Sequence, residues 1–220
     1  YTQKELSEVL KHIHEHESFS SDGKEKLLNL VTEIYGEQRV LSKAYYADQI
    51  TATNHALWKK IPGQEEYNFI MLQQEDVVVD LLVRYHLGRG TLFEKLFTSP
   101  QVLASFEVCF DGIVGAFSRE NSQGTVLVWA RVGGERVALK HVGNELVSFD
   151  GAYRVPLESQ TLREAFLQTE LLPSMALSFM VLSFYYGLTC GGGFSQVNYL
   201  SDMRQAYLRF LEHSGISSDE

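Results

Sequence analysis

The sequence predicts an α+β fold: an N-terminal helical segment, an antiparallel β-meander at about residues 111–150, and a buried pair of C-terminal helices. Three observations carry this. Apolar residues recur at helical spacing behind capping signals through the first hundred positions. Residues 111–150 then switch to short runs of β-branched and aromatic residues punctuated by glycine. Finally, residues 171–201 contain no Asp, Glu, Lys or Arg, in a chain that is 21% charged. A helix that is apolar on every side must be enclosed.

The elements follow in order. Thr2 and Glu5 form a capping box, with Leu6, Val9, Leu10 and Ile13 inward in a helix to about His14. Asp22 and Glu25 suggest a second box, and Gly36 a helix stop. Residues 38–61 are ambiguous, with a break expected at 51–54, and Pro62-Gly63 closes the segment. Helices are expected at 75–87, 92–97 and 100–109, the second opened by a Thr91–Glu94 box and the third by Ser99-Pro100. FDGIVGAF, GTVLVWARV, ERVALKHV and ELVSFD read as strands, with Gly133-Gly134 as a hairpin turn. Thr161 and Glu164 open a short helix to about Glu170, and Pro173 begins the apolar spine helix within 171–188. A last amphipathic helix, near 201–213, turns Met203, Ala206, Tyr207 and Phe210 inward. The 220 residues are read as one domain, with 1–61 set off as a helical N-terminal subdomain and 65–220 as the α+β body.

Composition narrows the function classes. A net charge of -9 with scattered Lys and Arg argues against a phosphate-backbone binder, so no nucleic-acid partner is expected. Two cysteines, Cys109 and Cys190, make no disulfide framework, and no secretory signal is visible. The expected location is therefore cytoplasmic. A membrane span within 171–190 is not expected, because serines interrupt it and basic flanks are missing.

The candidate site is the loop after the spine. Gly191, Gly192 and Gly193 permit amides to converge on an anion, with Thr189, Ser195 and Gln196 beside them as ligand-binding candidates. The run matches no phosphate-loop pattern, and a plain helix-to-helix turn explains it better. Cys190 is the candidate nucleophile and His86 the candidate proton carrier; a thiolate beside free amides gains an oxyanion site but needs a base. Arg89, between Gly88 and Gly90, is the candidate cation for a carboxylate or phosphate, although capping alone accounts for both glycines. His12, His14 and His16 sit at a solvated helix end with no distant ligand implied, so no metal site is assigned. No motif names a cofactor.

Two readings stay open. One is an intracellular, transferase-like biosynthetic enzyme that binds a small anionic or acyl-bearing metabolite at the glycine loop. The other is a non-catalytic ligand-binding or protein-interaction domain, including self-assembly into a homo-oligomer.

Overall fold

The structure is a computed structural model that describes residues 1–63, 70–191 and 193–215, with the Phe194 side chain left out. The chain divides into two compact units, Tyr1–Gln73 and Gln74–Glu220. The whole is mixed helix and sheet, as the sequence predicts.

In the first unit, α1 (Gln3–Glu15) begins on the predicted capping box. The Glu5 amide donates to the Thr2 hydroxyl at 3.3 Å and the Thr2 amide to the Glu5 carboxylate at 2.7 Å. Leu6 and Ile13, seven residues apart, are its buried face. The next helix, α2 (Ser21–Leu30), is capped by Ser20 rather than Asp22; Asp22 instead pairs with Lys26 one turn on. A π-turn over Val31–Tyr35 ends it at Gly36, where a Cβ would lie 2.6 Å from the Thr32 carbonyl oxygen, so only glycine fits. After the short α3 (Gln38–Leu41), α4 (Tyr46–Trp58) runs straight through the expected break at 51–54. Its threonines are accommodated locally: the Thr51 hydroxyl donates to the Ala47 carbonyl, and Thr53 is buried against the Tyr1 hydroxyl.

The second unit opens with α5 (Gln74–Leu81), extended by a π-turn over Leu82–His86, then α6 (Leu92–Thr98) and α7 (Pro100–Phe110). Residues 65–69, the start of the expected α+β body, lie outside the described residues. Of the predicted strand FDGIVGAF (110–117), only Phe117 falls in a strand, β1 (Phe117–Ser118), which pairs with β2 (Gln123–Gly124), while Asp111 forms an isolated parallel bridge to Phe117. The five-stranded antiparallel sheet uses later residues. β3 (Val128–Val132) and β4 (Glu135–Val142) are joined by Gly133-Gly134 with both φ values positive, which matches a two-residue hairpin turn. β5 (Glu145–Ser148) and β6 (Arg154–Pro156) extend one side. Before β3, buried Leu127 takes a left-handed φ of 63°, and the Val128 amide reaches the Val126 carbonyl at 2.7 Å, a tight three-residue reversal.

The helix α8 (Ser159–Leu167) starts at Glu158 rather than at Thr161. The spine differs from its expectation at the N-terminal end. Leu171–Pro173 is a strand, β7, paired to β3 at the sheet edge. Proline is tolerated there because an edge strand leaves one side of its backbone unpaired. Ser174 then caps α9 (Met175–Phe179) by accepting from the Leu177 amide, and a π-turn over Met180–Tyr185 completes the helix. Residues 176–182 are buried; Tyr186 and Leu188 emerge at the surface. The last helix, α10 (Phe194–Ser214), starts a full two turns earlier than expected. It packs on α7 through its predicted stripe, Met203, Ala206, Tyr207 and Phe210, with the Phe106 and Phe210 rings edge to face at 6.1 Å.

Candidate functional site

Two helices of the second unit end in π-turns, and their last residues meet. The wide turn over Leu82–His86 closes with the Leu87 amide on the Leu82 carbonyl, and the turn over Met180–Tyr185 with the Tyr186 amide on the Val181 carbonyl. A π-turn displaces the residues that follow it from the straight helical path. His86 and Tyr186 are thereby brought together: His86 Nε2 lies 3.0 Å from the Tyr186 hydroxyl, and His86 Nδ1 lies 3.1 Å from the Thr91 hydroxyl. Phe93 and Tyr185 close over the ring edge to face, at 4.9 and 5.3 Å between centroids.

Both partners of His86 are hydroxyls, so either neutral tautomer is satisfied. With the Thr91 proton on the His86 carbonyl (3.3 Å), Nδ1–H donates to Thr91 and Nε2 accepts from Tyr186. In the other direction, Thr91 donates to Nδ1 and Nε2–H donates to Tyr186. Burial, with 1% of the residue exposed, lowers the His86 pKa below the ordinary histidine value. The Tyr186 pKa is raised, first by burial of its hydroxyl and then by the neighbouring Tyr185 and Tyr85.

Arg89 sits on the exposed turn between His86 and Thr91, its own amide 3.1 Å from the His86 carbonyl. Gly88 and Gly90 both have positive φ there, which turns successive amides to one side, as in an anion-binding nest. The chain supplies its own anion. Glu94 accepts from the Gly90 amide and the Ser159 hydroxyl. Burial alone would raise the Glu94 pKa, but the Ser159 hydroxyl and the backbone amides of the 88–90 turn outweigh it and hold the carboxyl below its usual range.

The glycine loop is open to solvent. Thr189, Gly191, Gly193 and Ser195 are exposed, and a Cβ at Gly191 or Gly193 would meet nothing within 4 Å. Packing therefore does not explain those two glycines. Gly192 lies outside the described residues. Gln196 is half-buried, and its amide donates to the Gly193 carbonyl in the first turn of α10. The Cys190 thiol lies 2.9 Å from the Ser183 hydroxyl and 3.9 Å from the Leu188 carbonyl. Of the predicted residues, His86 and Arg89 share one turn, while Cys190 and the glycines follow Tyr186 on the other element. The ring nitrogens of His86 are both engaged by hydroxyls, not by the thiol.

Sequence reasoning missed Tyr186 and Thr91 as partners of His86, and Glu94 as occupant of the nest. It also missed a second cluster. Buried Glu107 on α7 binds Arg119 at 2.9 Å and His141 Nδ1 at 3.2 Å, while His141 Nε2 meets the Gly143 carbonyl at 2.7 Å. That cluster fastens α7 to β4. In the first unit, the ring of His16 bonds Ser18 and stacks on Phe19 at 4.5 Å. Among the described residues, no three His, Cys, Asp or Glu side chains are grouped to hold a metal. Nor is any described helix long and apolar enough to cross a membrane. No protein family, curated protein or solved structure matches this chain.

Proposed function

We propose that the chain is a non-catalytic binding domain, and that its second unit contacts a partner through the face where Tyr85, Tyr186 and Leu188 emerge. One observation carries this reading. The candidate proton carrier His86 and nucleophile Cys190 are both hydrogen-bonded within the fold, while Tyr85, Tyr186 and Leu188 stand 57%, 46% and 54% exposed. Exposed tyrosines on a rigid base are what contact surfaces are made of: large area, few torsions to freeze, and a polar tip. The base here is rigid because Tyr186 is pinned to His86 and packed edge-on against Tyr185 at 5.0 Å.

A photo-crosslinking amino acid placed at Tyr85 or Leu188 tests it. The expected outcome is a discrete adduct in cells from both positions and none from Glu135, which is exposed on the β3–β4 hairpin. Equal labelling from all three positions, or none from any, contradicts the reading.

The metabolite-binding reading rests on a separate observation. The 21-residue α10 begins on Gly193 with no side-chain cap among the described residues, beside an open loop. The dipole at its N-terminus favours an anion. A thermal-shift panel of phosphates, coenzyme A derivatives and acyl acids tests it; a ligand at a hundred times its Kd adds about 2.7 kcal/mol. A stabilising anion whose effect is lost in Gly193→Pro would favour this reading over the first.

A further inference from the structure

We propose that the His86–Tyr186 contact is an acid-sensitive latch: while the ring is neutral it holds the Tyr186 end of the spine helix, and when the ring takes up a proton the segment beyond Tyr186 opens. The inference goes beyond the binding reading and holds whatever the partner is.

The geometry decides which side yields. On one side, Thr91 is built into the start of α6, where its oxygen also receives the Glu94 amide and Glu94 closes the 88–90 turn. On the other, Tyr186 is followed by Gly187 at φ 74° and by the exposed residues Leu188 and Thr189. Opening there frees the ring to water at the expense of few buried contacts. Opening toward Phe93 would break the core.

The charged form keeps both hydroxyls as acceptors, but no carboxylate meets either ring nitrogen. From its own turn the ring is flanked by Arg84, which pairs with Asp80, and by Tyr85 and Arg89. From α6 come Thr91 and Glu94, whose carboxylate is committed to the turn amides and Ser159. From the spine come Tyr185 and Tyr186, and from α8 comes Arg163, which donates to the Val83 carbonyl. Both ring nitrogens thus face hydroxyls rather than a carboxylate. A buried imidazolium without a counter-ion is unfavourable.

Amide exchange followed by NMR tests the latch at two protected positions, Tyr186 N–H on the Val181 carbonyl (3.0 Å) and Leu188 N–H on the Leu182 carbonyl (2.8 Å). After correction for intrinsic rates, their protection should fall by up to tenfold per pH unit below the free-histidine value of about 6.5 and level off where the closed ring itself titrates, as one linked proton requires. The amides of β3 and β4 should stay the better protected across the same range. His86→Phe should remove the slope, and Tyr186→Phe should leave both amides weakly protected at neutral pH. A flat profile in the unmodified protein, or a slope that survives His86→Phe, overturns the proposal. Should His86→Phe fail to fold, the fall in protection must begin near the free-histidine value and level off where the ring itself titrates, and a fall confined to any other pH range overturns it.

Discussion

The hydroxyl of Tyr186 lies 3.0 Å from Nε2 of His86, a hydrogen bond between residues one hundred positions apart that ties together the ends of two π-turns. Its removal has a direct energetic consequence. Tyr186→Phe deletes one hydrogen bond at a half-exposed position where water can partly replace it, so unfolding in urea should show a loss of about 0.5–1.5 kcal/mol. His86→Ala removes the ring from its aromatic enclosure as well and should cost more, in the range of about 2–4 kcal/mol.

The pH dependence follows from the direction of the His86 shift. Its pKa is lowered in the folded state, so the fold favours the neutral ring. That contribution is complete above the unfolded histidine value of about 6.5 and is lost as pH falls through the lowered folded value. Urea midpoints should therefore decline as pH falls below about 6.5, and His86→Phe should flatten that decline.

Glu94 gives the opposite test of an anion site. Removing it in Glu94→Ala leaves the Gly90 amide of the 88–90 turn without its carboxylate. The variant should lose about 1–3 kcal/mol, and sulfate or phosphate should restore part of that loss while leaving the unmodified protein unchanged. Circular-dichroism melts with and without added sulfate measure both effects.

Local signals in the sequence translated directly into structure. The Thr2–Glu5 box and the Gly133-Gly134 hairpin depend on neighbours a few residues away, and both formed where they were expected. Where a segment's fate depended on distant partners, the sequence was ambiguous. Leu171–Pro173 is apolar enough for helix or strand, and pairing with β3, some forty residues earlier, made it a strand. The turn at 88–90 was legible as a glycine nest, but two residues competed for its purpose: Arg89 points to an external anion, Glu94 to an internal one. The carboxylate four positions on is held in place by the start of α6 and wins. The His86–Tyr186 contact had no sequence signal, since nothing local links the two helix ends.

The cluster at Glu107 predicts a mainly structural effect. Glu107→Ala strands His141 and Arg119 and detaches α7 from β4, so stability should fall by about 1–3 kcal/mol, with Arg119 contributing little because it is half-exposed. Arg119→Ala alone should change the urea midpoint by less than half as much.

The most direct measurement is a long-range ¹H–¹⁵N spectrum of the His86 ring at neutral pH. A sealed, hydrogen-bonded ring gives one protonated and one unprotonated nitrogen, in a neutral imidazole that titrates below the ordinary histidine value. An imidazolium at neutral pH, or a ring that titrates like a free surface histidine, would contradict the enclosed contact on which the binding face and the latch both depend.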